Sequence, residues 1–439
     1  MEGIPTIQLR RRLPFFWFVL LLVIAILLPH RVWNTLLIGL GGLIVVAYFW
    51  ARHLSRGLQG SRHLRFGWMA VGDRLSEQFE IINNSQLPAL WVEVVDASNV
   101  PGYQAAVVRS IGAQSSDRWR LAAVCEQRGQ FRLGPWALHS GDPFGLFKVM
   151  VSYPAANEII IHPPIYTQVP IPLPAGQGEG QVRARQRPWR ATINAAGVRD
   201  YFPGDPYKWI HWPKSAHYNN LLVRQFDLDA AGDIWLLLDM QQAAQVGDGP
   251  DGTEEQIILL ATALAVRSLN ENRGIGLAAY GRNPELIPPA LGQGQQWRLL
   301  RTLALIGADG QSSISEAVRD LGQVAQRGSA AVIITPNNDA DWLPNMLLLT
   351  QRGISCTAVL LDPDSYRAEE LLDIEADKAG HATRNLQQVI RRLGMGCYII
   401  HQGEIGQPAV KQERHGFWEF KITPSGRAIT VSNPLEEAG

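Results

Sequence analysis

The chain has 439 residues, 46% of them hydrophobic, and its forty basic and forty acidic side chains cancel. That length exceeds what one hydrophobic core organises, so two or more domains are expected. The balanced charge removes the basic footprint of a nucleic-acid-binding protein. Cys125, Cys356 and Cys397 lie far apart and form no CxxC pair, which points to buried reduced thiols and away from a zinc site or disulfide framework.

Residues 1–12 are read as a cytoplasmic N-terminus. Leu13–Leu28 carries no charge, and after Pro29-His30-Arg31 a second apolar run covers Val32–Ala51, interrupted by Asn34 and Thr35. Together they predict a two-helix transmembrane hairpin over 13–51. A helix needs about 20 residues to cross the hydrocarbon, and tilt or thinning accommodates a shorter first leg. A cleaved signal peptide needs a small-residue cleavage site, whereas Pro29-His30-Arg31 leads into more apolar chain. Arg10, Arg11 and Arg12 precede the hairpin and Arg52, Arg56, Arg62 and Arg65 follow it, against Arg31 between the runs. This bias places both termini and the main domains in the cytoplasm, in agreement with the few unpaired cysteines.

Over 64–165 the runs Leu75–Ile82, Leu90–Val95, Ala105–Ser110, Arg118–Cys125 and Glu158–His162 alternate with turn residues and predict a small β-sandwich. It contains RGQFRLGP (Arg128–Pro135) and SGDPFGLF (Ser140–Phe147). The second reads as a tight turn at Asp142-Pro143, pinned by Phe144 and Phe147. Residues 166–196 are rich in Pro, Gly and Arg and read as an extended, locally basic linker.

From 197 to 410 strands and helices alternate. Strands are expected at Ile234–Asp239, Gly274–Tyr280, Ala330–Thr335 and Ser355–Leu361, with Cys397–His401 at an edge. Helices are expected at Glu254–Asn272, Gln295–Ile306, Ile314–Gln326, Trp342–Gln351 and Ala379–Leu393. The pattern predicts a doubly wound α/β domain. Residues 411–439 read as a polar tail.

Gly197–Asp227 packs Arg, Tyr, Asp, Trp and His onto a Gly/Pro-punctuated loop. Pro203-Gly204-Asp205-Pro206 is expected to turn so that the Asp205 carboxylate accepts backbone N–H groups, with Trp209 and Trp212 burying area beside it. As a recognition surface, Arg199, Lys208, Lys214 and Arg224 would meet an acidic partner, Trp209 would anchor it, and Tyr201 and Trp212 would complete the face. An enzymatic alternative uses Asp205 and His211 for acid–base work, with His217 nearby. No GxSxG, HExxH or P-loop accompanies them, so no enzyme and no cofactor is expected.

Ligands of open α/β sheets bind at the carboxyl ends of the strands. Asp239 ends the first strand and is followed by Met240-Gln241-Gln242-Ala243. A von Willebrand factor A domain carries Asp-x-Ser-x-Ser there to bind Mg²⁺; here the serine positions are Gln241 and Ala243, and Thr335 stands where such domains place a later Asp. No metal is expected, since a hard cation needs several oxygen ligands. The alternative is a cation-dependent A-type domain that collects Asp239, Asp309 and Ser312 or Ser313.

GVRDYFPGDPYKWIHWPKSA resembles the signature of the bacterial domain of unknown function fifty-eight family, through Gly197, Arg199, Tyr201, Gly204, Asp205, Ile210, Trp212, Ser215 and Ala216. RGQFRLGP and SGDPFGLF resemble that family's second hallmark. Lys208 and His217 stand where the family has arginine, so no bidentate guanidinium is implied there. The resemblance implies a membrane-anchored protein with a degenerate von Willebrand factor A-like domain, working beside a MoxR-type AAA+ ATPase in protein assembly or maturation. The expectation is a scaffold or adaptor in the bacterial cytoplasmic membrane that binds lipid through two helices and a partner protein through its signature loop.

Overall fold

The computed structural model describes residues 3–65, 68–166, 169–174, 195–202, 207, 210–218, 220–226, 232–367, 376–405, 419–422 and 428–432; the side chains of 65, 195–199, 224–226, 376–380 and the last two segments are outside the description. The chain forms two compact units. One comprises Met1–Tyr166, Trp297–Ile306 and Ile405–Gly439, the other Thr167–Gln296 and Gly307–Glu404.

The first unit opens with β1 (Ile4–Leu9), α1 (Leu13–Leu27) and α2 (Arg31–Gly57). Ten strands follow: β2 (Leu58–Arg65), β3 (Met69–Ala70), β4 (Arg74–Asn83), β5 (Ala89–Asp96), β6 (Val107–Ile111), β7 (Ser115–Val124), β8 (Gly129–Leu133), β9 (Trp136–Gly141), β10 (Phe147–Tyr153) and β11 (Asn157–His162). They make sheets of order β1-β10-β9-β5-β6, β2-β4-β7 and β3-β11-β8. Alternate residues of each face a shared core, among them Phe79 and Ile81 of β4, Val92 and Val94 of β5, Val149 and Val151 of β10, and Ile159 and Ile161 of β11. The Asp142 turn forms as its sequence suggests, with the carboxylate accepting the N–H groups of Phe144 (2.9 Å) and Phe147 (2.6 Å).

The segment read as a cytoplasmic N-terminus contains a strand, β1. β1 pairs antiparallel with β10 from Ile4↔Ser152 to Leu9↔Phe147. It lies at a sheet edge, where Pro5 is tolerated because one row of amides needs no partner. The chain then leaves the sheet through α1 and comes back through α2, and the Phe147 ring meets both Phe15 of α1 (6.0 Å) and Tyr48 of α2 (5.7 Å) edge-on.

Only α2, among the described residues, is long and apolar enough to cross a membrane; α1 is apolar but has 15 residues. α2 continues past the end of the apolar run at Ala51. Ala51, Leu54, Ser55 and Gly57 bury one face of its last turns, and Trp50 Nε1 donates to the Pro88 carbonyl (3.3 Å). Arg52 and Arg56 on the opposite face lower the local hydropathy, so they end the run without ending the helix.

A charge network unseen in the sequence lies inside this unit. Arg62 of β2 pairs with Glu77 of β4 (2.9 Å) and with Asp96 of β5 (3.2 Å), their side chains 6%, 0% and 3% exposed. The Tyr103 hydroxyl also donates to Glu77, and the Ser98 hydroxyl to Asp96. The three charged groups come from two different sheets, so the guanidinium fastens one to the other. Burial pushes the Glu77 carboxyl up, against the opposing pull of Arg62. His162, at the end of β11, stacks on Trp68 at 3.7 Å with Nδ1 3.3 Å from the Leu300 carbonyl, and burial pushes its pKa down to about 4.

The second unit contains β12 (Ala195–Asp200), α3 (Trp212–Tyr218), β13 (Leu222–Phe226), β14 (Ile234–Leu238), α4 (Thr253–Asn270), β15 (Ile275–Tyr280) and β16 (Pro284–Ala290). After α5 (Gln293–Leu305), whose residues from Trp297 count with the first unit, come α6 (Ile314–Val324), β17 (Ala330–Thr335), α7 (Leu343–Gln351), β18 (Ser355–Leu361), α8 (Pro363–Tyr366), α9 (Ala376–Arg392) and β19 (Gly396–Ile400). The sheet order is β16-β15-β14-β17-β18-β19, with β16 antiparallel and the other strands parallel. α6, α7 and α9 cover Trp235, Leu237, Ile333, Ala358 and Leu360, and α4 packs on β14, β15 and β17. Burial on both faces explains the continuous apolar runs of β14 and β17.

Part of the presumed linker is packed. Ile171 is buried, Arg267 donates to its carbonyl (3.2 Å), and Arg273 donates to the Pro174 carbonyl (2.8 Å). Residues 175–194 lie outside the described residues. In the expected polar tail, β20 (Glu419–Ile422) and β21 (Ala428–Ser432) pair as an antiparallel hairpin.

Arg62→Met leaves Glu77 and Asp96 as buried, uncompensated charges, so it should destabilise the first unit by roughly 3–5 kcal/mol. Thermal unfolding of the detergent-solubilised chain measures this, and adding Glu77→Leu and Asp96→Leu should restore part of the loss. His162 is held neutral, with its folded pKa below the unfolded value. The unfolded chain therefore takes up a proton first, and the stability His162 contributes is present above about pH 6.5 and lost as pH falls toward 4. The pH dependence of stability over that window should flatten in His162→Phe.

Candidate functional site

The signature segment is built on a short antiparallel pair. Arg199 of β12 lies opposite Val223 of β13, and an isolated bridge sets Ile210 against the same Val223. The Tyr201 N–H donates to the Leu221 carbonyl and the His211 N–H to the Leu222 carbonyl, 2.8 Å each. His211 Nδ1 accepts the Lys214 N–H (3.3 Å) at the start of α3. Buried Ser215 joins α3 to β13 twice: its hydroxyl accepts the Leu222 N–H (2.9 Å) and lies 3.3 Å from the Leu222 carbonyl. His211 thus caps α3 through Nδ1, and Ser215 ties that helix to the neighbouring strand.

What faces outward is aromatic. Phe202 is 64% exposed, Tyr207 73%, Trp212 62% and Tyr218 67%. Half-buried Tyr201 lies nearly parallel to Tyr207 at 6.1 Å, and a surface pocket of about 400 Å³ is lined by Trp212, Ser215, Ala216, Asn220 and Leu221. Trp212 therefore does not bury itself as its sequence setting suggests. α3 is fastened to β13 by hydrogen bonds from Ser215 to the backbone, not by a ring packed into the core, and the indole stays outside.

Of the residues expected at this surface, half-buried Tyr201 precedes the expected Pro203–Pro206 turn of the segment, and exposed Trp212 and Lys214 lie on α3. Arg199 is placed by its backbone in β12; its side chain, that of Arg224, and the whole of Asp205, Lys208 and Trp209 lie outside the described residues. Phe202, Tyr207 and Tyr218 were not singled out from the sequence. Their signal was the density of rings in a Gly/Pro-rich loop, where little core is available to bury them.

At the carboxyl edge of the large sheet, buried Asp239 accepts the Thr335 hydroxyl through Oδ2 (2.5 Å) and the Gln241 N–H through Oδ1 (3.2 Å). Burial raises its pKa, the two donors oppose the rise, and Asp341 adds to it. Asp309 accepts the Arg282 N–H (2.8 Å) and pairs with its guanidinium (3.3 Å), and Ser313 caps α6 by accepting the Glu316 N–H. Of the candidate cation ligands, Asp239, Asp309 and Ser313 are thus engaged by the chain. Among the described residues no group of three or more His, Cys, Asp and Glu side chains converges as a metal site. A second buried carboxylate, Asp362 after β18, was missed because Asp362-Pro363 reads as a turn. It lies 2.9 Å from Thr383 Oγ1 and 3.2 Å from His401 Nδ1.

The family comparison covers the signature segment and most strands of this sheet. Residues 197–371 match the family model described as "Protein of unknown function DUF58". "Uncharacterized protein YeaD" of Bacillus subtilis (strain 168) is 24% identical over 345 residues, 75% of this chain and 83% of its own length. "Uncharacterized protein Rv1480" of Mycobacterium tuberculosis (strain ATCC 25618 / H37Rv) is 27% identical over 183 residues, 40% of this chain and 57% of its own. Among solved structures, the β-glucosidase from Listeria innocua aligns with 24% of this chain and 16% of its own at 10% identity and a TM-score of 0.17, too low to carry a fold argument.

Ser215→Ala strips Leu222 of its side-chain partner in a buried position and should cost about 1–3 kcal/mol locally. Hydrogen exchange of the Leu222 amide should quicken correspondingly, whereas Ser215→Thr, which keeps the hydroxyl, should preserve more of its protection.

Proposed function

We propose that this chain is a membrane-anchored adaptor that captures a partner protein through the aromatic face of 201–221. The observation that carries the reading is the exposure of Phe202, Tyr207, Trp212 and Tyr218 on one short segment. Water does not favour such rings, and exposed aromatics are the residues that dominate binding energy when a partner desolvates them. Lys214 beside them suits an acidic rim on the partner, and Arg199, Asp205, Lys208 and Trp209 of the signature belong to the same proposed surface. A MoxR-type AAA+ ATPase is the partner that the family resemblance suggests, with protein assembly or maturation as the task.

The second unit is read as a degenerate von Willebrand factor A-like domain. Numbered within the six-stranded sheet, its strands run 3-2-1-4-5-6 with the third antiparallel, which supports that reading. The engaged oxygens of Asp239 and Asp309 favour metal-independent binding over cation-dependent adhesion. The anchor is read as two helices crossing the bacterial cytoplasmic membrane, with both termini cytoplasmic. Pairing of β1 with β10 supports an even number of crossings, because the chain leaves and rejoins one unit. The arginines at 10–12 and at 52 and 56 favour the cytoplasmic side.

The test is capture from detergent-solubilised membranes. The wild-type chain should retain an AAA+ ATPase in EDTA as well as in Mg²⁺. Tyr207→Ala/Trp212→Ala should lower retention tenfold or more, since each ring contributes about 1–2 kcal/mol. Retention that ignores the double variant but collapses in EDTA would replace this reading with the cation-dependent one.

A further inference from the structure

At the foot of the apolar hairpin, we infer that the chain carries a binding site for an anionic phospholipid. The inference rests on the membrane-anchor reading above and adds to it a defined lipid contact. A groove of about 430 Å³ lies between α2 and the turn after β4, lined by Val46, Phe49, Trp50, His53, Gln86 and Leu87. One wall is fixed, since Trp50 Nε1 donates to the Pro88 carbonyl (3.3 Å).

Three features of the first unit specify the occupant. The groove is continuous with lipid-suited surface: Val45, Val46 and Phe49 on the same helix are 53%, 50% and 54% exposed, an apolar flank suited to an acyl chain. The hairpin foot is also strongly basic. Arg52 and Arg56 follow on α2, and the bond from the Arg10 N–H to the Leu146 carbonyl (2.8 Å) together with the Phe15 and Tyr48 contacts to Phe147 brings Arg10, Arg11 and Arg12 to that same end. Finally, these five arginines are exposed and none forms an ion pair among the described residues; Arg52 has only the Tyr48 hydroxyl (3.3 Å) as a side-chain partner. Guanidinium groups bind phosphate oxygens in paired hydrogen bonds, so arginines without a carboxylate partner at the foot of an apolar groove match a lipid with a net negative headgroup. A zwitterionic lipid offers the same chain but cancels the charge.

The experiment uses the full chain, reconstituted in bilayers of phosphatidylcholine with a minor share of phosphatidylglycerol and then extracted in mild detergent. The lipid that stays bound is quantified by mass spectrometry. Wild type should retain phosphatidylglycerol well above its share of the bilayer. Each arginine near an anionic surface contributes about a fivefold preference, so Arg52→Gln/Arg56→Gln should lower the enrichment about thirtyfold. Phe49→Ser, which leaves the charges in place, should lower total retained lipid of both classes. Unchanged enrichment in the arginine variant, or a chain dimer that covers the groove and is lost in Phe49→Ser, would overturn the inference. Release of the wild-type chain from membranes by alkaline carbonate would remove the anchor reading itself; firm attachment without lipid selectivity would remove this inference alone.

Discussion

A chain that leaves a sheet, runs through two apolar segments and rejoins the same unit is governed by one requirement: the backbone N–H and C=O groups on the way need partners that apolar side chains do not offer. Helices meet it internally, and α1 and α2 are the result. Their ends are then fixed by ordinary sheet chemistry, with β1 hydrogen-bonded to β10 before the excursion and β2 to β4 after it. The last turns of α2 belong to both worlds. One face packs on the core of the unit while Arg52 and Arg56 point away, so the apolar helix is continuous with the fold it joins.

The two units solve the problem of buried polarity differently. In the first, a guanidinium and two carboxylates are enclosed together, which is costly unless all of their hydrogen bonds are made, and here phenol and hydroxyl donors help to make them. In the second, the carboxylates stand singly at strand ends and each is answered by a hydroxyl, an amide or an imidazole. Asp239 and Thr335 come from neighbouring parallel strands, so their bond also fixes the relative ends of β14 and β17.

Regular alternation made much of the fold legible. Ala330–Thr335 and Ser355–Leu361 coincide with β17 and β18 because buried parallel strands are apolar throughout and sharply bounded. The elements that escaped are those whose own residues do not read as strand. β1 contains Pro5, β2 is largely polar, and β16 holds three prolines; each is a strand because of a neighbour, and local propensity says otherwise. The site divides in the same way. The motif located the segment, but burial decides which of its rings are available, and that depends on how α3 sits on β13. Ser215 thus joins α3 to β13, while Tyr207 and Tyr218, which the sequence reading did not single out, are among the most exposed rings of the segment. The Arg62 network could not be foreseen, since Arg62, Glu77 and Asp96 acquire meaning only when their sheets face one another.

The prolines of β16 reach further than their own strand. Pro284, Pro288 and Pro289 lack amide hydrogens, and β16 borders the large sheet. That border offers an incoming extended peptide a broken row of donors, which discourages strand-by-strand growth. At the opposite border, β19 reads Gly-Cys-Tyr-Ile-Ile without proline. The two borders are thus guarded differently: β16 by residues that have no hydrogen to donate, β19 by Arg391 and Gln387 of α9, which donate to its Cys397 carbonyl at 3.0 and 3.4 Å.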